Sequence, residues 1–294
     1  MLDNTFTLPD KRILGFATYG TADGEPVLYF HGTPSSRLEP LLLAAYNKNM
    51  QAISAQHHLR IVAIDRPGFG LSTFNHTGSF TSFAKDAIAL ADHLKFDQFK
   101  ILCWSGGGSY ALAAAYHFPQ RVSSIHIVCG FSRSFAEPGV FRNMAGNKYY
   151  FFAAKYLPML MRGIMDRVGK TKPQRSLPQW LTQLKDADHA LLNDPESVRH
   201  FTTATLNEAC RKNSNGLVHE ARLYYGKTGY ELRDIQQPVH YWYGTEDNVV
   251  TEVHATSVEK MVPNSIMHYK KGEAHMSIYV NYIEDILKQV EKEK

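Results

Sequence analysis

The stretch Ile101 to Val122, "ILCWSGGGSYALAAAYHFPQRV", passes from an apolar run through one serine and three glycines into an alanine-rich segment. Glycine is a poor residue at a strand end or a helix start unless the backbone there does something a side chain would block. A strand turning sharply into a helix meets that condition. The residue at its tip is held in a strained conformation with its side chain lifted above the sheet, and small neighbours let the two backbones approach. The helix N-terminus then aims free N–H groups at whatever reacts there. The pattern is the nucleophile elbow G-x-S-x-G, here Cys103-Trp104-Ser105-Gly106-Gly107, with cysteine in place of the first glycine. Cysteine is small enough for the turn to survive. The bland alternative is a glycine-rich phosphate turn. A dinucleotide site would want G-x-G-x-x-G after the first strand, and a P-loop would want lysine after the last glycine; neither is present.

A serine hydroxyl is a weak nucleophile and needs a histidine to take its proton and a carboxylate to orient that histidine. With an elbow of this kind the chain order is serine, acid, histidine. "VHYWYGTEDNVV" supplies Asp247 just after a late strand, and "MHYKKGEAHMSIY" supplies His275 just before the last helix. Glu246 competes for the acid, but needs a one-residue shift of its loop. His254 and His268 compete for the base, but fall inside a helix and a strand, without the loop freedom to reach Ser105. The charge that develops on an attacked carbonyl needs two N–H donors. One is Gly106, after the nucleophile; the other is Thr33, in "VLYFHGTPSSR" after an early strand. His31 and Gly32 read as support for that loop, His31 as a hydrogen-bonding brace and not as the base.

These loops need a scaffold to bring them together. Apolar, β-branched or aromatic runs alternate with helical patterns up to about residue 130 and again from "PVHYWYG" onward. "ILGFATYG", the turn signal "TADG" and "PVLYF" read as a hairpin leading into a strand. Ser82–Leu94, Gly107–His117, Glu252–Met261 and Met276–Lys292 read as helices. Strands apolar on both faces and separated by helices predict an α/β fold with a mostly parallel sheet covered on both sides. Residues 131–227 break the rhythm. They are helical in pattern and rich in Phe, Tyr and Met, and are expected to form a cap over the strand ends, with 1–130 and 228–294 as the core. Tyr149–Met165 is the most apolar stretch and reads as a buried or pocket-lining helix, giving an apolar acyl or alcohol pocket. The alternative is that the stripe is the cap's own core.

The chain has 294 residues, 44% hydrophobic and 20% charged, with a formal net charge of +4, too weak to imply a nucleic-acid partner. Cys103, Cys129 and Cys210 are odd in number and form no CxxC pair, so neither a disulfide framework nor a metal site is expected, and a reducing cytoplasm fits. The first residues do not read as a signal peptide, and no run is long and apolar enough to span a membrane, so no integral membrane association is expected. Nine basic residues fall between Arg133 and Arg175 (133, 142, 148, 155, 162, 167, 170, 172 and 175). They read as a solvated face, with an anionic substrate or lipid head group as the alternative. "DRPGFGLS" reads as a structural loop in which Asp65 and Arg66 pair with each other or brace their neighbours.

With these segments assembled, the chain resembles the α/β-hydrolase superfamily, in particular its cap-bearing esterase and lipase branch. The matching segments are "HGTP" at 31–34, "DRPGFGLS" at 65–72, "CWSGGG" at 103–108, "GTEDNVV" at 244–250 and "GEAHMS" at 272–277. The resemblance implies a central sheet of about eight strands, a cap, and catalysis by Ser105, Asp247 and His275 with Thr33 and Gly106 as oxyanion donors. It implies no cofactor and no metal, and a small-molecule ester substrate with an apolar part; it leaves the oligomeric state open. Serine at 105 argues against epoxide opening and dehalogenation, which use aspartate there. Rival readings are a ligand sensor with slow or absent turnover and cofactor-free peroxidase-like chemistry in the same pocket.

Overall fold

The computed structural model describes residues 2–142, 144, 147–171 and 184–293. Eight strands build one sheet: β1 (Asn4–Thr7), β2 (Ile13–Gly20), β3 (Glu25–Phe30), β4 (Leu59–Ile64), β5 (Phe99–Trp104), β6 (Val122–Val128), β7 (Val239–Gly244) and β8 (Ser265–Lys270). Their spatial order is β1-β2-β4-β3-β5-β6-β7-β8. β1 and β2 join antiparallel at one edge, and every pairing from β4 to β8 is parallel. A parallel sheet is covered on both faces, which is why Val27 to Phe30 and Ile101 to Cys103 are apolar without alternation and wholly buried.

The covering helices are α1 (Met50–Gln56), α2 (Phe80–His93) and α3 (Gly107–His117) in the first half. α4 (Asn147–Tyr156), α5 (Pro158–Gly169), α6 (Asp186–Leu191), α7 (Pro195–Thr202) and α8 (Asn215–Leu223) follow between β6 and β7, and α9 (Glu252–Met261) and α10 (Ser277–Lys292) close the chain. α2 starts on a reciprocal box in which Ser79 and Ser82 accept each other's backbone N–H. α3 is buried almost all round, and its alanines let it lie close to the sheet. Among the described residues no helix is long and apolar enough to cross a membrane.

Two expectations change. β2 and β3 do not form a hairpin, because β4 lies between them. The turn after β2 is pressed against the incoming strand: a Cβ on Gly20 would fall 2.0 Å from the Leu59 carbonyl oxygen. A turn signal reports that the chain reverses, not that the flanking strands pair. A 3₁₀ segment (Glu39–Tyr46) and α1 fill the crossover from β3 to β4. The second concerns Tyr149–Met165. Phe151, Ala154, Met161 and Met165 are buried, whereas Tyr149, Phe152, Tyr156, Leu157, Met159, Leu160 and Ile164 are exposed. Among the described residues, none of the stripe lines the cavity that holds Ser105, and only its buried half packs into the core. Between β6 and β7 the described residues form helices and turns and no strand.

Candidate active site

β5 ends at Trp104 and α3 begins at Gly107, so the chain reverses across two residues. Ser105 sits at the tip with φ +52, in the left-handed region that a side chain normally avoids. Its backbone is pinned on both sides. The Ser105 N–H donates to Val128 O at 3.0 Å, and its carbonyl accepts from Phe131 N at 3.0 Å and Gly108 N at 3.1 Å. The glycines are needed for close approach. A Cβ on Gly107 would lie 2.2 Å from Phe30 O, and one on Gly106 would lie 2.3 Å from Thr33 Oγ1 and 2.6 Å from the Tyr224 hydroxyl oxygen. Cys103 is wholly buried in β5 and leaves the turn intact, as its size predicted.

Asp247 follows β7 and His275 precedes α10. His275 Nδ1 lies 2.8 Å from Asp247 Oδ2, and both side chains are buried. The other oxygen, Oδ1, accepts from Val249 N at 2.8 Å and Val250 N at 2.9 Å. An ionised carboxylate only accepts, so Nδ1 carries the ring proton and Nε2 keeps its lone pair. Burial alone would lower the His275 pKa, but the carboxylates of Asp247, Asp188 and Glu39 outweigh it and hold the ring above its usual 6.5. The two loops are locked together at Gly244, where a Cβ would fall 2.5 Å from Glu273 O. Trp104 completes the support. Its indole N–H donates to His275 O at 3.1 Å, and its ring lies against the His275 ring and stacks on Tyr279.

Ser105 and His275 line one cavity of about 70 Å³ together with Thr33, Glu39, Asp188 and an apolar wall that includes Leu184, Leu192, Phe201, Val249 and Met276. The Ser105 hydroxyl makes no hydrogen bond to the protein among the described residues, so it is free to turn toward the ring. The Thr33 and Gly106 backbone N–H groups likewise find no protein acceptor among the described residues. Glu246, by contrast, is exposed and faces Lys185 at 3.5 Å. His254 accepts from Ser132 N within α9, and His268 pairs with His240 within β8, both away from the serine.

The loop after β3 is held from two sides. His31 is wholly buried, its Nδ1 donating to Gly32 O at 2.8 Å and its Nε2 accepting from Arg66 N at 3.3 Å. Burial and the Arg66 charge keep it well below 6.5 and therefore neutral. Glu39 accepts the Gly32 N–H through both oxygens, at 3.0 and 2.9 Å, and the Tyr29 hydroxyl at 2.6 Å. Burial pushes the Glu39 carboxyl up to about 7.

Two groups that the sequence did not single out come from the helical segment between β6 and β7. Asp65 and Arg66 do not pair with each other. Asp65 holds Arg37 at 2.9 Å, and Arg66 pairs with Glu220 of α8 at 2.5 Å, all four buried. Arg66 also donates to His31 O, Gly32 O and Thr33 Oγ1, so the Glu220 charge is tied through Arg66 to the loop carrying Thr33. Glu220 further accepts from the Tyr110 hydroxyl at 2.9 Å and from Thr33 Oγ1, while Tyr224 donates to Gly106 O at 2.9 Å. Asp188 of α6 is the second group. It accepts the backbone N–H of His275 at 3.0 Å and those of Met276 and Ser277 at 2.8 Å each, closing the N-terminus of α10. Burial, only partly offset by His275 and these N–H groups, raises its carboxyl to about 6. A Ser/Thr/Asp just ahead of α10 would have been the local signal for a cap; this one arrives from 87 residues upstream.

Cys129, Asp247 and His275 place potential metal-ligand atoms within 4.8 Å of one another. Burial and the Asp247 charge keep the thiol protonated, and Asp247 and His275 are already engaged with each other, so this donor set does not fit a cation.

A family model described as the alpha/beta hydrolase fold matches residues 25–282. The chain is similar to the uncharacterized hydrolase YcgS of Bacillus subtilis (strain 168), 24% identical over 118 residues, which is 40% of this chain and 39% of that protein. It is also similar to a non-heme chloroperoxidase of Streptomyces lividans, 31% identical over 126 residues, 42% of this chain and 43% of that one. The chain thus spans less than half the length of the curated relatives it matches. The solved structure of the esterase RhEst1 from Rhodococcus sp. ECU1013 covers 100% of both chains with a TM-score of 0.71 at 17% identity, a likeness of fold.

Proposed function

The chain belongs to the α/β-hydrolase fold family, matched over residues 25–282, and on that premise we propose that it is a serine hydrolase cleaving carboxylic esters or related acyl compounds. The observation that carries the proposal is the 2.8 Å contact between His275 Nδ1 and Asp247, made beside the strained Ser105 on one shared cavity.

Ser105 Oγ attacks the substrate carbonyl while His275 Nε2 takes its proton. Asp247 holds the ring in that tautomer and stabilises the imidazolium without itself becoming protonated. The Thr33 and Gly106 N–H groups receive the developing oxyanion, where loss of one such donor costs about 10²–10³ in rate. His275 then returns the proton to the leaving alcohol, and the acyl group stays on Ser105. Water, deprotonated by His275, attacks the acyl carbon and restores the serine. Residues 131–227 act as the cap, and 1–130 with 228–294 as the core. The cavity wall is largely apolar, so an apolar acyl or alcohol group fits it best.

The test is hydrolysis of p-nitrophenyl esters of increasing chain length beside Ser105→Ala. The order of preference among chain lengths reports the depth of the pocket, and Ser105→Ala falls by about 10⁶-fold. A variant keeping more than a few per cent of activity removes Ser105 as nucleophile. Fluorophosphonate labelling of Ser105 without ester turnover turns the reading into a ligand sensor. The chloroperoxidase similarity supports a second fate for the same acyl-enzyme: attack by hydrogen peroxide in place of water, releasing a peracid. Peracid formation measured beside hydrolysis separates the two fates.

A further inference from the structure

The exposed face of α4 and α5 has no part in this chemistry. Seven large apolar side chains between Tyr149 and Ile164 are exposed, Met159 to 83%. On α4, Tyr149, Phe152 and Tyr156 follow at i, i+3 and i+7, which is one helix face. Leu157 and Met159 sit at the corner between the helices, and Leu160 and Ile164 continue one turn apart along α5.

The hairpin itself is firmly seated. Phe151 packs on the rings of Phe131, Phe135 and Tyr224, and Tyr150 donates to Leu217 O at 3.1 Å. The apolar face therefore belongs to an anchored element. It is also the most basic part of the structure. Residues 147–171 carry five basic side chains, Lys148, Lys155, Arg162, Arg167 and Lys170, against one acid, Asp166. The Asp166 carboxylate is engaged by Ser214 N at 2.7 Å. The local surplus of four equals the formal net charge of the whole chain.

We propose that this hairpin docks the protein on an anionic lipid surface, with the apolar corner entering the headgroup boundary and the basic side chains facing lipid phosphates and carboxylates. Aromatic and aliphatic side chains ringed by Lys and Arg are the composition of an element lying in the interface plane. A second copy of this chain packed on the same face would set five cations against five, whereas an anionic lipid surface takes both the apolar and the charged parts. The hairpin also lies next to the cavity. Asn207 Nδ2 donates to Gly169 O at 2.5 Å, tying the end of α5 to the π turn Thr203–Asn207, which supplies Thr205 to the cavity wall. The Lys172 and Arg175 of the basic face expected from the sequence lie outside the described residues.

The proposal is independent of the hydrolytic reading. The test is co-sedimentation of the full chain with phosphatidylcholine vesicles with and without phosphatidylserine. Binding is expected only with phosphatidylserine and weakens as salt rises. Met159→Asp with Leu160→Asp lowers vesicle binding at least tenfold, and Arg162→Glu with Arg167→Glu lowers it by at least fivefold per charge removed. Thermal unfolding and hydrolysis of a water-soluble ester stay as in the parent for both double variants, and Ser105→Ala binds vesicles as the parent does. No binding to phosphatidylserine vesicles at low salt overturns the proposal. So does binding undiminished in both double variants, or a dimer in gel filtration that the Met159/Leu160 variant dissolves, which would give the face to a second copy.

Discussion

The cavity has a floor and a roof, and they are built differently. The floor is the end of the sheet, where backbone meets backbone: Gly107 against Phe30 and Gly244 against the loop that carries His275. Positions there are set by the absence of a side chain. The roof comes from the helices between β6 and β7; apart from one close backbone approach, Gly216 of α8 against Gly68, it is tied to the floor by side chains, chief among them Glu220 onto Arg66 and Asp188 onto the start of α10. A backbone contact cannot be loosened without moving two segments of the chain apart. A side-chain tie can be removed alone, so each of these ties has a separable effect.

Gly107→Ala breaks the floor. The added methyl would sit 2.2 Å from Phe30 O, with the carbonyl carbon 3.0 Å away, so no side-chain rotation relieves it. β3 and α3 must separate, and the loop from His31 to Thr33 moves with β3. A misplacement of about 1 Å at an oxyanion donor costs about 10²-fold. We expect kcat/KM for p-nitrophenyl acetate to fall by about 10² in whatever fraction folds, together with a lower unfolding temperature. Full activity in this variant would show that the floor yields as readily as the roof.

Glu220→Gln tests the stronger roof tie. Arg66 and Glu220 are both buried, and Arg66 would keep its charge with no carboxylate beside it. Leaving one partner of a buried pair costs about 3–5 kcal/mol. Denaturant unfolding is the measurement, and a change below about 1 kcal/mol would mean that Arg66 is satisfied by the carbonyls of His31 and Gly32. The folded fraction is expected to lose activity only about tenfold, because the elbow itself is untouched.

The same division explains what the sequence made legible. Ser105, Asp247 and His275 stand at strand ends, and each carries its own local punctuation: glycines after the serine, Gly244 before the acid, Gly272 before the histidine. Steric demands of the floor are local in sequence, and so they can be read. Glu220 lies 154 residues from Arg66 and Asp188 87 residues from His275, and both look like ordinary helix carboxylates. Nothing near either residue announces a buried partner. "YYFFAAKYLPMLM" shows the limit from the other side. Its spacing reports a helix with two unlike faces, but the spacing cannot say whether the second face meets a pocket, a core or solvent. Likewise "TADG" marked a reversal, while β4, arriving 35 residues after Gly24, decided which strands pair.

Asp188→Asn is the subtlest change, and it separates a mechanical roof from an electrostatic one. Asparagine keeps one acceptor oxygen, so the bonds to Met276 N and Ser277 N can persist, but its amide group cannot accept from His275 N. The charge also disappears. The Asp188 carboxylate is one of the groups holding His275 above its usual pKa of 6.5, because a nearby negative charge favours the imidazolium. Turnover needs His275 neutral, so the acid limb of kcat/KM reports that pKa in the free enzyme. Removing the charge disfavours the imidazolium, lowers the pKa and moves the acid limb to lower pH. The plateau rate at alkaline pH should fall only a few-fold, from the lost hydrogen bond. Because burial places the Asp188 carboxyl near 6 and the Glu39 carboxyl at about 7, the parent profile should be broader than a single titration, and the variant profile should narrow by the loss of the Asp188 step. An acid limb that stays in place while the plateau drops would make Asp188 a mechanical cap for α10 and leave Asp247 and Glu39 to set the histidine's charge.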